Sequence, residues 1–525
     1  MQNSKNKILQ FCKLDYQCVA ISVIWIIVLN GYRLFSHPIG VDTEAALYAF
    51  ESNLNWTIGN GRIMSAIVRR LTMPTTFNYD IAVIIIILGL IFAVIGYQYC
   101  LKYFGITCKA SRLLFSLIFV SYPTWAEQNY FVCSAYANVI GLCVAVYASY
   151  ILTVWLLEKR KFKYALLACL LVSVATGIYQ TFFYLIIANV VSFIFLKMKE
   201  EELDICSLIV VFIKLAMLIF LSFGLYLVFS KIGVKLFYKP DMDYAGAIDA
   251  PAYISNQISW KRNGILNCAK EIIKYIVLCF NVNNVFGTPV FLIVSIVALL
   301  ITLYRSLKLR KKNKIVVILL WLCLNVCPFL GCLVKGGSMG AREQLIFPCV
   351  LAVFATYILE NVVTFLKNSE QKGDIWKEVT AKLIIVLMFV LSASMASVQL
   401  QLNRTDYVRY EQDKILANHI IHEIEEFDSD YMNKKIVFMG YRTWKAPAYL
   451  TLGEVIGKTI FSWDYYGRVG VNYRVYGFMQ AMGYSYVKPT FEDVELVRKQ
   501  DNNSVIYPNE GCIYYVNDMI VVRLN

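Results

Sequence analysis

Two acidic side chains, Asp42 and Glu44, follow the first long apolar stretch of the sequence, behind a turn around Pro38 and Gly40. Ionisable groups beside an apolar membrane segment are costly and are usually functional or paired. A carboxylate at this place could act as a general base that accepts the proton of an attacking hydroxyl. The Asp-X-Glu spacing could also hold a divalent cation, Mg or Mn, through oxygen ligands. The same spacing is common in solvated loops, and that interpretation stays open.

Four cationic residues could bind a phosphate group. Arg62 follows a Gly-Asn-Gly turn, Arg342 follows a glycine-rich stretch, and Lys261 and Arg262 stand late in a long polar loop. Arginine binds phosphate oxygens in a bidentate way and is the side chain best suited to such recognition. The alternative is that these long side chains simply extend along the membrane interface, with their charged ends in water.

An aromatic cluster, Trp463, Tyr465 and Tyr466, lies in the last quarter of the chain. Large aromatic faces can pack against the C–H faces of sugar rings, so these residues are candidates for binding a sugar acceptor. The alternative is an ordinary role in a domain core. The three histidines form no metal-ligand pattern with cysteine. No nucleotide-binding loop or serine-hydrolase motif occurs.

The composition is that of a membrane protein. The 525 residues are 58% hydrophobic and only 16% charged, which is too apolar for a soluble globular chain. The net charge is +14, yet residues 403–525 contain 14 Lys and Arg against 16 Asp and Glu. The positive excess therefore lies in the first 402 residues. This distribution argues against nucleic acid as a partner and favours loops that flank membrane helices.

A helix that spans the bilayer needs about 20 mostly apolar residues. The alternate loops on the side of the N-terminus carry 22 Lys and Arg, against 13 on the other side, so we expect a cytoplasmic N-terminus. The pattern predicts a polytopic α-helical membrane protein with about 11 transmembrane helices. The predicted spans are 16–34, 80–101, 110–124, 131–157, 163–178, 181–197, 205–230, 286–304, 315–334, 344–366 and 382–400.

We therefore divide the chain into a transmembrane catalytic domain at 1–402 and a small extracytoplasmic α/β domain at 403–525. In the first, an outer loop at 35–80 contains two short amphipathic helices, and a second large outer loop covers 231–285. The second has about 120 residues, enough to bury its own core. Its predicted elements are a polar helix at 406–427, a strand at 435–440, a further helical stretch within 483–500 and paired strands at 512–515 and 519–524.

The sequence resembles a known family in several of these features. Gly-Val-Asp-Thr-Glu at positions 40–44 follows the first span, Trp56 and the Gly-Asn-Gly-Arg stretch that ends at Arg62 come next, and Arg342 precedes a late span. This arrangement is similar to that of the O-antigen glucosyltransferases of the Gtr serotype-conversion type. They belong to the GT-C class of membrane glycosyltransferases, and the resemblance implies a GT-C-like fold.

The resemblance also implies a reaction. A hexose, glucose, would pass from a polyprenyl-phosphate donor to a cell-surface polysaccharide on the outer face of the bacterial cytoplasmic (inner) membrane. Asp42 would deprotonate the acceptor hydroxyl, Glu44 would orient the acceptor or complete a cation site, and Arg342 with Arg62 would stabilise the phosphate. Which carboxylate is the base does not follow from the sequence. A donor synthase and a donor flippase would be the functional partners.

Two other functions remain open at this stage. A flippase or transporter of a lipid-linked sugar would also need cations at one face, but it would more often show several buried charges and broken helices. A polysaccharide polymerase or ligase is closer in chemistry.

Overall fold

The computed structural model of the chain describes residues 10–158, 160–198, 204–240, 258–281, 284–286, 288–306, 311–370, 375–502 and 504–525. Within these residues, a bundle of long helices is followed by a smaller region of helices and strands. The helices up to residue 370 are α1 (Tyr16–Asn30), α2 (Arg33–Ser36), α3 (Thr43–Tyr48), α4 (Phe50–Gly59), α5 (Ile63–Thr72), α6 (Tyr79–Tyr103), α7 (Lys109–Ser121), α8 (Thr124–Tyr130), α9 (Val132–Leu157), α10 (Phe162–Ile178), α11 (Thr181–Lys197), α12 (Ile205–Phe237), α13 (Trp260–Cys279), α14 (Thr288–Ser306), α15 (Lys311–Val326), α16 (Leu330–Lys335) and α17 (Ile346–Glu370). The later elements are α18 (Ile375–Phe427), β1 (Ile436–Met439), α19 (Asn472–Ala481), α20 (Phe491–Gln500), β2 (Ile513–Val516) and β3 (Met519–Arg523).

Each predicted span overlaps a helix of this bundle, but the span predicted at 315–334 is divided between α15 and α16, and the one at 382–400 is only the middle of the longer α18. Seven of the described helices are long and apolar enough to cross a membrane by length and composition. Shorter apolar helices are α10, α11 and the stretch Pro289–Arg305 within α14. With 13 residues, α7 belongs to neither group. The chain is thus a helical protein with several candidate membrane spans, and the count of about 11 stays a prediction.

Polar capping residues mark where two of the spans begin. At the start of α6, the side chain of Asn78 accepts a hydrogen bond from the backbone N–H of Ile81 at 2.9 Å. At the start of α12, Asp204 accepts one from Ser207 N at the same distance. Such caps satisfy backbone donors that have no partner inside the helix. They place a polar boundary directly before each apolar run.

The connections between helices gather at two ends of the bundle. At the end that we call the Asp42 end, Val41 N donates to Tyr130 Oη at 3.2 Å, and Arg62 Nε donates to Gln180 Oε1 at 2.8 Å. At the other end, Asp15 pairs with Arg112 at 2.9 Å. The predicted outer segments therefore contact one another, and predicted inner segments do the same at the opposite end.

The loop predicted at 35–80 contains three described helices, α3, α4 and α5. The first predicted amphipathic helix is divided at Ala49, whose backbone leaves the helical region at φ −139° and ψ 55°. The second corresponds to α5. In the other predicted loop, at 231–285, α12 extends to Phe237 and α13 begins at Trp260, while residues 241–257 and 282–283 lie outside the described residues.

A single helix, α18, connects the bundle to the C-terminal region. It has 53 residues, which corresponds to a length of about 80 Å. The predicted boundary between residues 402 and 403 falls inside this helix. Buried side chains from both sides of that boundary share one apolar core, in which Val41 and Tyr130 lie with Phe478 and Ile520. The C-terminal region is therefore packed directly on the Asp42 end.

The C-terminal region contains a three-stranded sheet with the strand order β1-β3-β2. β1 is parallel to β3, with Ile436 opposite Ile520, and β2 is antiparallel to β3, with Ile513 opposite Val522. The strands predicted at 435–440, 512–515 and 519–524 correspond to these three elements. α18, α19 and α20 accompany the sheet, so this region contains both helices and strands. A separate extracytoplasmic domain at 403–525 stays a prediction.

Candidate active site

The turn that carries Asp42 is strained and tightly packed. Asp42 has a left-handed backbone, with φ 69° and ψ −26°, a conformation that costs a non-glycine residue about 1–3 kcal/mol. The side chain of Tyr130 supports the turn by accepting a hydrogen bond from Val41 N. Gly40 lies against the same ring, where an added Cβ would approach Tyr130 Cζ to 2.8 Å. Position 40 therefore requires glycine for close approach.

A buried ion network fixes the start of this turn on α18. Arg409 Nη1 donates to Ile39 O at 3.0 Å, and the guanidinium pairs with Asp406 at 2.7 Å and Asp413 at 3.0 Å. Arg33 pairs with Asp406 at 3.1 Å. These four charged side chains are at most 3% exposed. Removal of one member of such a network costs about 3–5 kcal/mol, so it forms a rigid base for the turn.

The two predicted catalytic carboxylates converge on one arginine of α19. Arg474 Nη1 lies 3.0 Å from Asp42 Oδ1 and 2.9 Å from Glu44 Oε1. The Nε of the same side chain lies 2.7 Å from Asp464 Oδ2. The side chain of Asp42 is 32% exposed, that of Arg474 13%, and that of Glu44 is fully buried. Arg474 was not predicted from the sequence.

Burial changes the acidity of Glu44. The pKa of this carboxyl is raised from its ordinary 4.5 to about 7, because loss of solvation and the nearby charge of Asp42 outweigh the opposing effect of Arg474. Among the described residues, Glu44 Oε2 has no hydrogen-bond partner. The neighbouring hydroxyl of Tyr48 is also buried without one. Glu44 therefore exchanges its proton near neutral pH, and Asp42 is the more exposed of the two carboxylates.

Close packing of α19 on α3 positions Arg474 beside Asp42 and Glu44. Gly477, one turn after Arg474, faces α3, and a Cβ at this position would approach Tyr48 Cε1 to 2.6 Å and Glu44 Cγ to 3.2 Å. The start of α19 is fixed to β1, because the side chain of Asn472 accepts from Phe438 N at 2.6 Å and donates to Phe438 O at 2.9 Å. The helix is thus held at both faces.

Two of the four predicted phosphate-binding residues, Arg62 and Arg342, lie near one tyrosine, Tyr179. The guanidinium of Arg342 lies 4.1 Å from the ring centroid of Phe131, the residue after Tyr130. Arg62 lies 5.0 Å from the ring centroid of Tyr179. The Tyr179 hydroxyl is within electrostatic range of both arginines. The structure therefore brings Arg62 and Arg342 to the same tyrosine, and Arg342 also lies against Phe131, the neighbour of the Tyr130 that supports the Asp42 turn.

The C-terminal region also holds the segment that carries Arg342. Glu454 accepts a hydrogen bond from Ala341 N, the residue before Arg342. The backbone N–H groups of Glu454 and Val455 in turn donate to the buried carboxylate of Glu127 on α8, at 2.6 and 3.1 Å. A loop of the C-terminal region thus connects α8 to residues 340–342.

Lys261 and Arg262 have a different position. Both are exposed in the first turn of α13. The adjacent Trp260 donates its indole N–H to Leu333 O at 3.0 Å, which places this turn beside α16. Within the described part of the chain, no contact connects either cation to Asp42 or Glu44. The structure does not bring these two residues into the cluster around Arg474.

The predicted acceptor-binding residues form a turn next to Arg474. Asp464, which pairs with Arg474, stands between Trp463 and Tyr465. The rings of Tyr465 and Tyr466 lie 3.7 Å apart by centroid, and Tyr466 is 89% exposed. Trp463 is half-buried against the core, and its indole N–H is buried without a described partner. Tyr465 and Tyr466 thus present an aromatic surface, whereas Trp463 is partly a core residue.

The carboxylate pair does not fit a divalent cation in this arrangement. The oxygens Asp42 Oδ1 and Glu44 Oε1 both accept from Arg474, whose positive charge occupies the place between them. Among the described residues, no three His, Cys, Asp or Glu side chains form a group suited to holding a metal. Binding of Mg or Mn here would require Arg474 to move away.

Comparison with known proteins gives the family. The profile of the family described as glucosyl transferase GtrII matches residues 31–366, more than half of the chain. A solved oligosaccharyltransferase from Archaeoglobus fulgidus, tethered to an acceptor peptide, aligns at 11% identity and a TM-score of 0.37, covering 74% of this chain and 55% of that one. No curated protein matches the sequence. The chain belongs to the GtrII glucosyl transferase family.

Proposed function

We propose that the chain is a membrane glycosyltransferase that moves a hexose, glucose, from a polyprenyl-phosphate donor to a cell-surface polysaccharide on the outer face of the bacterial cytoplasmic membrane. One observation carries the proposal. A partly exposed carboxylate, Asp42, is joined through Arg474 to an exposed aromatic turn, and it lies at the same end of the helical bundle as Arg62 and Arg342, which both interact with Tyr179. These are the groups that transfer from a lipid phosphate to a sugar hydroxyl requires.

Asp42 is the proposed general base. Its 32% exposure makes it accessible to an acceptor hydroxyl, whereas Glu44 is enclosed. The hydroxyl oxygen attacks the anomeric carbon of the donor sugar while its proton passes to Asp42. The bond between that carbon and the phosphate oxygen breaks, and polyprenyl phosphate leaves. Glu44 acts on the position of Asp42 through their shared partner, Arg474.

Arg342 and Arg62 are the proposed phosphate-binding residues. Negative charge grows on the leaving phosphate as the bond breaks, and fixed cations stabilise such charge most where they are already oriented. The contacts of Arg62 with Gln180 and of Arg342 with Phe131 orient both guanidinium groups. Lys261 and Arg262 are exposed beside α16 and are proposed only as cations that attract the anionic donor to the surface.

The acceptor glycan is proposed to lie on Tyr465 and Tyr466, with Trp463 supporting the turn. This assignment places the C-terminal region, 403–525, outside the cytoplasm and the N-terminus inside it, with the helices in a GT-C-like arrangement of about 11 spans. A donor synthase and a flippase that presents the lipid-linked sugar are the proposed functional partners, and the bilayer supplies the route for the lipid.

The proposal is tested with purified protein in detergent, radiolabelled polyprenyl-phosphate glucose and a crude cell-surface glycan. Wild type should release polyprenyl phosphate and label the glycan, and Asp42→Asn should do neither. The control is Asp80→Asn, which removes an exposed carboxylate at the same end that pairs with His37 at 2.6 Å. It should keep wild-type transfer. Each reaction is run with and without EDTA to measure any need for a divalent cation.

The same preparations distinguish the two alternatives. A flippase would leave the donor intact in detergent but move it across liposomes, in wild type and Asp42→Asn alike. A polymerase or ligase would transfer more than one sugar unit or a whole preassembled chain, which is visible in the size of the labelled product. Either result would contradict single-hexose transfer.

A further inference from the structure

We propose that Arg474 is a positioning residue of the transferase, one that fixes Asp42 and Glu44 in their working orientation and makes transfer depend on the seating of α19 against α3. The inference rests on the proposed function of Asp42, and it adds a residue from the C-terminal region to the site. Arg474 is more than 400 positions from both carboxylates in the sequence.

The geometry of the guanidinium supports this role. One nitrogen, Nη1, reaches Asp42 and Glu44 at 3.0 and 2.9 Å, and a second, Nε, reaches Asp464 at 2.7 Å. Because the guanidinium is planar and rigid, fixing Nε also fixes the direction of Nη1. A lysine ammonium would provide the charge at a single point and could not transmit that orientation. Asp464 thus acts as the anchor of the arginine.

The contact leaves one oxygen of the proposed base available. Arg474 occupies Asp42 Oδ1, while Oδ2 accepts no hydrogen bond among the described residues and is not buried. A carboxylate fixed through one oxygen presents the other in a constant direction. This is the arrangement that proton transfer to a positioned base needs, because the donor and acceptor must meet within hydrogen-bond distance.

Arg474 opposes the rise in the pKa of Glu44 that burial and the neighbouring groups cause. The groups that face this carboxyl are Asp42 of the same turn, Tyr48 of α3, Tyr130 of α8, Cys133 of α9 and Arg474 of α19. Arg474 is the cation among them. Burial already raises the pKa of Glu44 to about 7, so loss of Arg474 would raise it further and keep this carboxyl protonated at neutral pH. Without Arg474, Glu44 would no longer be linked to Asp42 and could not help to fix its orientation.

The test compares Arg474→Gln, Arg474→Lys and Asp464→Asn with wild type in the radiolabelled transfer assay. Arg474→Gln should lower kcat on the order of 10²-fold, as misplacement of a reacting group by about 1 Å does. KM for the donor should change little, because the phosphate-binding arginines are untouched. The acid limb of the kcat–pH profile should move to higher pH. Arg474→Lys should restore part of kcat, and Asp464→Asn should lower it less than Arg474→Gln.

Arg498→Gln is the matched control, since Arg498 is a surface arginine of the same region that pairs with Glu495 at 2.7 Å. It should keep wild-type kcat and pH profile. Wild-type values for a folded Arg474→Gln protein would overturn the inference. If Arg474→Gln fails to fold, Asp464→Asn decides: reduced kcat at wild-type thermal stability supports the inference, and unchanged kcat overturns it. Failure of the proposed function is seen separately, because wild type itself would then not transfer the sugar.

Discussion

Replacement of Gly477 by alanine tests the seating of α19 on α3. In an ordinary helix interior, this change stabilises the fold by about 1 kcal/mol. Here the new Cβ would lie 2.6 Å from Tyr48 Cε1, about 0.8 Å short of the 3.4 Å at which ordinary contact begins. The ring of Tyr48 cannot simply turn away, because it packs edge-on against Tyr476 with 5.6 Å between the centroids. The helix must therefore move.

The size of that movement sets the expected effect. Overpacking of this kind costs about 1–3 kcal/mol, so after the gain of about 1 kcal/mol in helix propensity we expect Gly477→Ala to be no more stable than wild type and to lose up to about 2 kcal/mol. A shift of about 0.8 Å would take Arg474 Nη1 out of hydrogen-bond distance from both carboxylates, which now lie at 2.9–3.0 Å. If the proposed roles of Asp42 and Arg474 hold, transfer falls on the order of 10²-fold.

The assay is radiolabelled sugar transfer together with thermal unfolding in the same detergent. The control is Gly224→Ala, since Gly224 lies within the long helix α12 and has no other atom within 4 Å of an added Cβ. This variant should keep wild-type activity and lose no stability. A Gly477→Ala protein that is fully active and more stable than wild type, as a simple helix propensity effect would give, would refute the reasoning about the seating of α19.

Two further predictions concern single side chains. Because the pKa of Glu44 is raised, the folded state holds a proton between about pH 4.5 and pH 7 that the unfolded chain releases. The proton's contribution to the free energy of unfolding is fully present below about pH 4.5 and is lost by about pH 7. The total loss is about 3 kcal/mol. Glu44→Gln should therefore flatten the dependence of Tm on pH between 4 and 8, and an unchanged dependence would contradict the assignment. Arg342→Gln should lower kcat by about 10²–10³-fold, because the proposed phosphate-binding cation is lost. Lys261→Gln, at an exposed surface cation, should change transfer little at high salt. Equal losses in the two variants would refute the assignment of phosphate binding to Arg342 and not to Lys261.

The long helices could be predicted because hydropathy is a local signal. An apolar run such as Val132–Leu157 has no stable alternative to a helix in lipid, where each backbone group needs an internal partner. The position of Asp42 and Glu44 after the first span follows from the same signal. The break at Ala49 was missed, since the apolar residues on both sides of it keep helical spacing.

Arg474 could not be predicted, because an ion pair between residues more than 400 positions apart leaves no local pattern. A single arginine in a ten-residue helix resembles any surface arginine. The i, i+3 and i, i+4 spacing of Asp406, Arg409 and Asp413 is misleading in a related way. This spacing usually indicates a solvated helix face, yet these side chains are at most 3% exposed. Their burial depends on packing of the loop around Ile39 against α18, which only the tertiary structure reveals.

The C-terminal region contacts both halves of the proposed chemistry. Arg474 holds the carboxylates, and Glu454 holds the segment that carries Arg342 through the N–H of Ala341. The base and the phosphate-binding arginine must act in the same step, so their separation has to be constant to within about 0.5 Å. Two loops that were joined only to their own helices would not have a common support to fix that separation. Anchoring both loops to one packed region fixes the separation. This gives a reason for the buried contact in which Glu127 accepts hydrogen bonds from a loop of the C-terminal region.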